Sequence, residues 1–185
     1  MDLNLIINKY YNANIQTTKV VINEVAQQIK KDTKMLVFGL GYDSELWYNL
    51  TDKNTYFVED NPAYISLNKN IDPSHIIHHK YTGITVPSSF KLSDQAIEAF
   101  KIPDDLLSLG PFDIIYIDGP TGWNDTCPGR LLPIYWSKKF LSKEGTLVYI
   151  DDSNRRLETY CIDKFFKEDR KEFINVDKGC MKVFL

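Results

Sequence analysis

The stretch Met35-Leu36-Val37-Phe38-Gly39-Leu40-Gly41-Tyr42-Asp43-Ser44 decides the fold. Its first four residues form an apolar run without alternation, the pattern of a short strand buried on both faces. The run stops at glycines, which let a backbone turn tightly and come close to a ligand. The same grammar recurs downstream. Residues 55–58 end at Glu59-Asp60, 112–117 at Asp118-Gly119 and 146–150 at Asp151-Asp152, and 75–79 form a weaker strand. Helical spacing fills the intervals at 44–50, 62–68, 131–141 and 155–168. Ahead of the first strand, 15–31 places Val20, Val21, Val25 and Ile29 near a 3.6-residue period, with Thr17 or Thr18 as cap. Strands alternating with helices predict an open, mostly parallel α/β sheet with helices on both faces. Residues 172–176 and 181–185, joined by Asp177-Lys178-Gly179, predict a final hairpin.

A chain of 185 residues is one domain, with 1–33 as an N-terminal helical segment. Residues 88–109 interrupt the rhythm with a polar helix at 92–100 and a Pro103-Asp104-Asp105 turn, and read as an insertion or crossover helix. With 43% hydrophobic and 25% charged residues, the chain has the composition of a packed domain rather than a disordered one. Its 22 basic and 25 acidic side chains leave a net charge of −3, which lacks the basic footprint of a nucleic-acid binder. Cys127, Cys161 and Cys180 have neither disulfide-framework nor zinc spacing and suit a reducing compartment. No export signal or membrane-length apolar run is present, so the expected location is cytoplasmic, with no membrane partner.

In an open parallel sheet, ligands bind beyond the carboxyl ends of the strands. Three strong strands here end in acid: Glu59-Asp60, Asp118 and Asp151-Asp152. Any one of them would serve as a helix N-cap, but three on one rim suggest a site. Glu59 follows Gly39 by 20 residues, the distance at which a nucleoside-binding half-sheet offers an acid to ribose hydroxyls. A dinucleotide site wants a third glycine near position 44 and a helix N-terminus open to pyrophosphate. Asp43 and Ser44 stand there instead. An anion at that point repels phosphate and favours a cationic cofactor, so S-adenosylmethionine is expected rather than NAD. Gly39, Gly41, Asp43, Ser44, Glu59, Asp60 and Asp118 are the expected cofactor contacts. The Asp60-Asn61-Pro62-Ala63-Tyr64 stretch follows the second strand and is read as a helix start with Pro62 in its first turn. The Gly- and Pro-rich loop 119–130 sits over the same rim, where such loops bind substrate or act as lids. Within it, Trp123 suits stacking on a sugar face and Arg130 a bidentate grip on an anion, unless Arg130 simply belongs to the next helix.

Taken together, Val37 to Ser44, Glu59-Asp60, Tyr81-Thr82, Ile117-Asp118-Gly119-Pro120 with Gly122, Pro128-Gly129-Arg130 and Asp152-Ser153-Asn154-Arg155 resemble the plant glucuronoxylan 4-O-methyltransferase and irregular-xylem family. The resemblance runs over residues 35–166. It implies a class I S-adenosylmethionine-dependent methyltransferase fold, Rossmann-like with a seven-stranded sheet, acting on a sugar hydroxyl of a polysaccharide, uronic acid or nucleotide sugar. Two departures stand out. The plant proteins carry an N-terminal membrane anchor not evident here, so neither their secretory location nor xylan as substrate carries over. Asp151 stands where the family usually has His, and Asn124 replaces a His of the substrate loop.

Methyl transfer to a hydroxyl needs in-line alignment and an acceptor for the proton. Asp118 and Asp152 are the expected catalytic residues, and Trp123, Arg130 and Arg155 the expected substrate contacts. Asp118, Asp151 and Asp152, with Asn154 in reach, also make an oxygen-rich set for Mg or Mn, which would acidify the hydroxyl. His75, His78 and His79 are not expected to act as ligands. The rival reading is a cofactor-binding, non-catalytic protein that assists polysaccharide assembly, and NAD-dependent oxidoreduction is disfavoured by Asp43 and Ser44.

Overall fold

The computed structural model describes residues 3–185. In chain order the elements are α1 (Leu3–Tyr10), α2 (Lys19–Gln28), β1 (Met35–Phe38), α3 (Ser44–Leu50), β2 (Thr55–Glu59), α4 (Pro62–Leu67) and β3 (Ile76–His78). There follow α5 (Val86–Ser89), α6 (Asp94–Glu98), α7 (Asp104–Leu109), β4 (Ile114–Ile117), α8 (Leu131–Trp136), β5 (Leu147–Asp151), α9 (Arg156–Phe165), β6 (Arg170–Ile174) and β7 (Cys180–Phe184). The seven strands lie in the order β3-β2-β1-β4-β5-β7-β6. Strands β3 to β5 are parallel, and β7 joins β5 antiparallel, with β6 outside it. This is the predicted sheet with its terminal hairpin.

The apolar runs are continuous because each strand feeds two cores. On β1, Leu36 and Phe38 enter one core while Met35 and Val37 enter the other, and β4 divides Ile115 and Ile117 from Ile114 and Tyr116 in the same way. Helices α1, α2 and α3 cover one face through Ile7, Ile22, Val25 and Trp47. The opposite face is closed by α8 and α9 and by the 88–109 segment, whose Ile97 and Leu106 are fully buried. That segment is the β3-to-β4 crossover and belongs to the core layer. Its Pro103-Asp104-Asp105 stretch, expected as a turn, starts α7.

Thr18 caps α2 by accepting from Val21 N–H, and Asn61 caps α4 with Pro62 in the first turn. The helix expected over 131–141 changes at Ser137 into a wider, π-type turn over Ser137–Leu141. Strand β6 begins earlier than its apolar residues suggest. Its register is set by pairing with β7 (Arg170 opposite Phe184, Ile174 opposite Cys180), and as an edge strand it tolerates charged residues.

The sequence order reverses between β1 and β4, so the loops after them diverge and open a crevice. The two strand ends nearly touch. Asp118 and Gly119 N–H both donate to the Phe38 carbonyl, at 2.9 and 2.6 Å. Gly39 holds φ +107°, and a Cβ on Gly119 would lie 2.8 Å from the Gly39 Cα. Backbone on both sides leaves no room to yield. Gly119→Ala is expected to cost about 1–3 kcal/mol, read as a lowered urea midpoint with an unchanged m-value, whereas Gly145→Ala, whose Cβ would meet nothing within 4 Å, tests the strain of a positive φ alone.

Candidate active site

The crevice holds a cleft of about 410 Å³, a volume typical of small-ligand sites. On its β1–β2 side, the glycine loop is held from beneath by Glu59. The Glu59 carboxylate accepts from Leu40 N–H at 2.6 Å through Oε2 and from Asn61 N–H at 2.7 Å through Oε1. Burial pushes the Glu59 carboxyl up, and those two backbone donors oppose the shift. Each oxygen keeps a second lone pair, and Glu59 and Asp60 both line the cleft. Asp43 is fixed by Oδ2, which accepts from Thr17 Oγ1 at 2.7 Å and Trp47 Nε1 at 3.0 Å. Its other oxygen lies 3.1 Å from where a Cβ on Gly41 would be. Ser44, expected to touch the cofactor, is fully buried, and its Oγ accepts from Gly41 N–H at 2.8 Å, so it braces the loop from inside.

The β4–β5 side is organised by one guanidinium. Arg130 is only 3% exposed. Its Nη2 donates to Asp118 Oδ1 at 3.0 Å, to the Asp118 carbonyl at 2.6 Å and to Asp152 Oδ2 at 2.8 Å, while Nη1 donates to the Asp151 carbonyl at 2.6 Å. The expectation that Arg130 grips a substrate anion is therefore corrected: both terminal nitrogens are committed to protein oxygens. Nor does Asp152 cap the next helix. That helix begins at Arg156 behind Arg155, whose side chain forms no cap, and the Asp152 carboxylate receives Arg155 Nη2 at 2.9 Å as well as Arg130. Asp152 itself holds φ +53°, a strained value that Asp tolerates better than most residues.

Asp118, Asp151 and Asp152 each bring a carboxylate oxygen within 4.8 Å of the others. Asp118, with 38% of its side chain exposed, faces the cleft, and Asp152 is buried. Burial at the foot of the cleft pushes the Asp118 carboxyl well up, against the pull of Arg130 and reinforced by Asp151 and Asp43. Burial also raises Asp151, which lies in hydrogen-bonding contact with Asp118. Arg155 and Trp123, the expected substrate contacts, line the cleft, Trp123 being 72% exposed. The histidines do other work: His75 stacks on Tyr56 with ring centres 4.5 Å apart, and His79 packs edge-on against Tyr81 and Trp136.

No protein-family model matches the chain. Among curated proteins, it is 29% identical to glucuronoxylan 4-O-methyltransferase 1 of Arabidopsis thaliana over 95% of this chain and 71% of that protein. It is 31% identical to glucuronoxylan 4-O-methyltransferase 2 of the same plant, over 70% of this chain and 52% of the relative, and 26% identical to Irregular Xylem 15, over 78% and 52%. The chain is a relative of the glucuronoxylan 4-O-methyltransferases and irregular-xylem proteins. It spans about half the length of the second and third of these relatives. Solved structures agree on the fold. A precorrin-6y C5,15-methyltransferase from Geobacter metallireducens aligns over 95% of this chain and 93% of its own with TM-score 0.56 at 14% identity. The O-methyltransferase TomG from Streptomyces achromogenes, solved with S-adenosylmethionine, aligns over 99% and 87% with TM-score 0.54 at 10% identity. The fold is that of class I S-adenosylmethionine-dependent methyltransferases.

In this glucuronoxylan-methyltransferase relative, two walls of the cleft were not foreseen. One is Asn14 to Thr18, whose Thr17 pins Asp43; the other is the β6–β7 turn at Val176 to Lys178. Behind the cleft, Glu158 on α9, only 1% exposed, brings Oε1 within 3.9 Å of Arg130 Nε. The Thr17-Thr18 pair was the available signal, since one threonine suffices for a cap. No sequence signal marked the turn or Glu158.

Removing Arg130 leaves several carboxylates crowded and unpaired, so Arg130→Ala is expected to destabilise the fold by about 3–5 kcal/mol at neutral pH. Arg130→Lys should restore little, because an ammonium cannot reproduce the fork. Asp118 and Asp151 have folded-state pKa values above their unfolded ones, so the folded chain binds the extra protons. Stability of Arg130→Ala relative to wild type should therefore recover as pH falls from 7 toward the ordinary carboxylate range, a trend readable from urea melts at a series of pH values.

Proposed function

We propose that this chain is an S-adenosylmethionine-dependent O-methyltransferase acting on a sugar hydroxyl in an acidic, glucuronate-bearing polysaccharide. The observation that carries the reading is the placement of Asp118. It stands at the end of β4, anchored by Arg130 through Oδ1, and lines the cleft opposite the glycine loop and Glu59-Asp60. The relatives' names supply the acceptor class.

The residues present fit the cofactor. Glu59 and Asp60 offer carboxylate oxygens where ribose hydroxyls are met in this sheet type. Gly39 and Gly119 leave the floor between β1 and β4 bare of side chains. Asp43, with one oxygen held and the other unengaged by either donor, presents negative charge to a cationic ligand and none of the donors a diphosphate needs. When bound, S-adenosylmethionine supplies an activated methyl group on a sulfonium centre.

With donor and acceptor in place, Asp118 would take up the proton of the acceptor hydroxyl. Burial raises the proton affinity of Asp118 above that of an ordinary carboxylate, the direction that strengthens it as a base. Positive charge entering the cleft favours its ionised form. Arg130 fixes the carboxylate's position through Oδ1, so little reorganisation is needed at the moment of transfer. Asp152, held by Arg130 and Arg155, maintains the geometry of the β5 end.

The same residues fit a hard divalent cation. Asp152 Oδ1 is buried without a hydrogen-bond partner, and Asp118 and Asp151 bring oxygens within 4.8 Å. Held by these three carboxylates, Mg²⁺ or Mn²⁺ would lower the pKa of the acceptor hydroxyl.

Labelled S-adenosylmethionine incubated with glucuronate-bearing glycans, neutral glycans and nucleotide sugars tests the reading. Transfer to the acidic glycans is expected, and binding of the cofactor without transfer to any acceptor would sink it. Asp118→Asn should lower kcat by about 10²–10⁴-fold. Chelation followed by divalent-ion restoration checks the cation independently.

A further inference from the structure

Among the residues lining the cleft, acids far outnumber cations, and the cations are Arg130, Arg155 and Lys178. Arg130 is buried and committed. Arg155 and Lys178 remain open to the cleft, with 31% and 61% of their side chains exposed. They approach one carboxylate from two sides: Arg155 Nη2 lies 2.9 Å from Asp152 Oδ2, and Lys178 Nζ lies 3.9 Å from Asp152 Oδ1, which has no hydrogen-bond partner. Asp152 is joined to Asp118 through Arg130 Nη2, at 2.8 and 3.0 Å.

Lys178 belongs to the β6–β7 turn, and that turn is seated on the site. Ser153 N–H donates to the Gly179 carbonyl at 3.1 Å and Asn154 N–H to the Lys178 carbonyl at 3.2 Å. Gly179 holds φ +69°, and a Cβ there would lie 2.9 Å from Asn154 Cγ and 2.8 Å from the Phe173 ring. Only a residue without a side chain lets the turn close onto the β5 loop. The backbone that carries Lys178 is therefore fixed, although its ammonium is exposed.

We infer that Arg155 and Lys178 form the anion subsite for the acceptor, and that Lys178 is the specificity-determining residue that selects a carboxylated sugar over its neutral counterpart. The inference deepens the sugar O-methyltransferase reading and rests on it. Charge placement supports the assignment. The β1–β2 side of the cleft presents Asp43, Glu59 and Asp60, which repel an anion, so among the described lining residues a negatively charged acceptor meets accessible countercharge at Arg155 and Lys178, beside Asp152. Asp177, next to Lys178, also lines the cleft and tempers the field, which puts the weight on direct contact rather than long-range attraction. In a hexuronate ring, the carboxylate and the hydroxyl on the neighbouring ring carbon lie side by side. An anion at Arg155 and Lys178 thus sets such a hydroxyl toward Asp118, one carboxylate away.

The test compares a glucuronate-bearing oligosaccharide with its carboxyl-reduced form, using wild type, Lys178→Gln and Lys178→Glu. For transfer, the ratio of kcat/KM on the acidic acceptor to that on the reduced one should fall about three- to tenfold in Lys178→Gln and further in Lys178→Glu, chiefly through KM. An unchanged ratio, or an equal fall on both acceptors, overturns the inference. Calorimetry on the complex with S-adenosylhomocysteine provides a readout independent of turnover. If the acidic oligosaccharide binds with Lys178-dependent affinity but no methyl is transferred, the subsite stands and the catalytic reading falls. If acidic and reduced oligosaccharides bind wild type equally, the subsite falls whatever the transfer assay shows.

Discussion

The structure depends on the buried guanidinium of Arg130, placed among carboxylates. Arg130 ties the carbonyl and carboxylate of Asp118 at the end of β4 to the Asp151 carbonyl and the Asp152 carboxylate at the end of β5. Without it, the two strands would bring acids together at the foot of the cleft, and Coulomb repulsion would force protonation or splay the strand ends. Two of the guanidinium's partners are backbone carbonyls, so the charge also defines main-chain geometry. A loop of a dozen residues can therefore span from Asp118 to Arg130 and still return to a fixed point.

A second constraint is steric. The crossing of Gly39 and Gly119 brings β1 and β4 to backbone contact where the topology reverses. Together, the glycine crossing and the arginine knot fix the three central strand ends, and the remaining side chains of the site are positioned relative to these ends.

What the sequence revealed follows from physical range. Strands buried on both faces leave continuous apolar runs, so Met35–Phe38 and Ile114–Ile117 were recognisable, and the acids after them followed directly. Caps are equally local, and Thr18 and Asn61 act as such. Arg130 was found as a site residue but given the wrong direction, because whether a guanidinium faces outward or inward depends on carboxylates 12 and 22 residues away in sequence. The direction of Ser44 is equally hidden from local sequence: the glycine loop curls back and takes its hydroxyl as an internal brace. The Val176 to Lys178 turn looked like an ordinary hairpin because nothing local records that it lands on Ser153 and Asn154. Edge strand β6 was misplaced by two residues, since its register comes from β7 and its own pattern is largely charged.

The hairpin turn docked on the β5 loop also divides the cleft by parentage. One side is made by β1, β2 and the segment ahead of α2, whereas the other is made by β4, β5 and a turn between the last two strands. These halves meet at the Gly39–Gly119 crossing. Changes confined to the turn can therefore reshape the β4–β5 side while the side around the glycine loop stays intact, so with the proposed acceptor subsite on that turn one scaffold can diversify its products without relearning its cofactor.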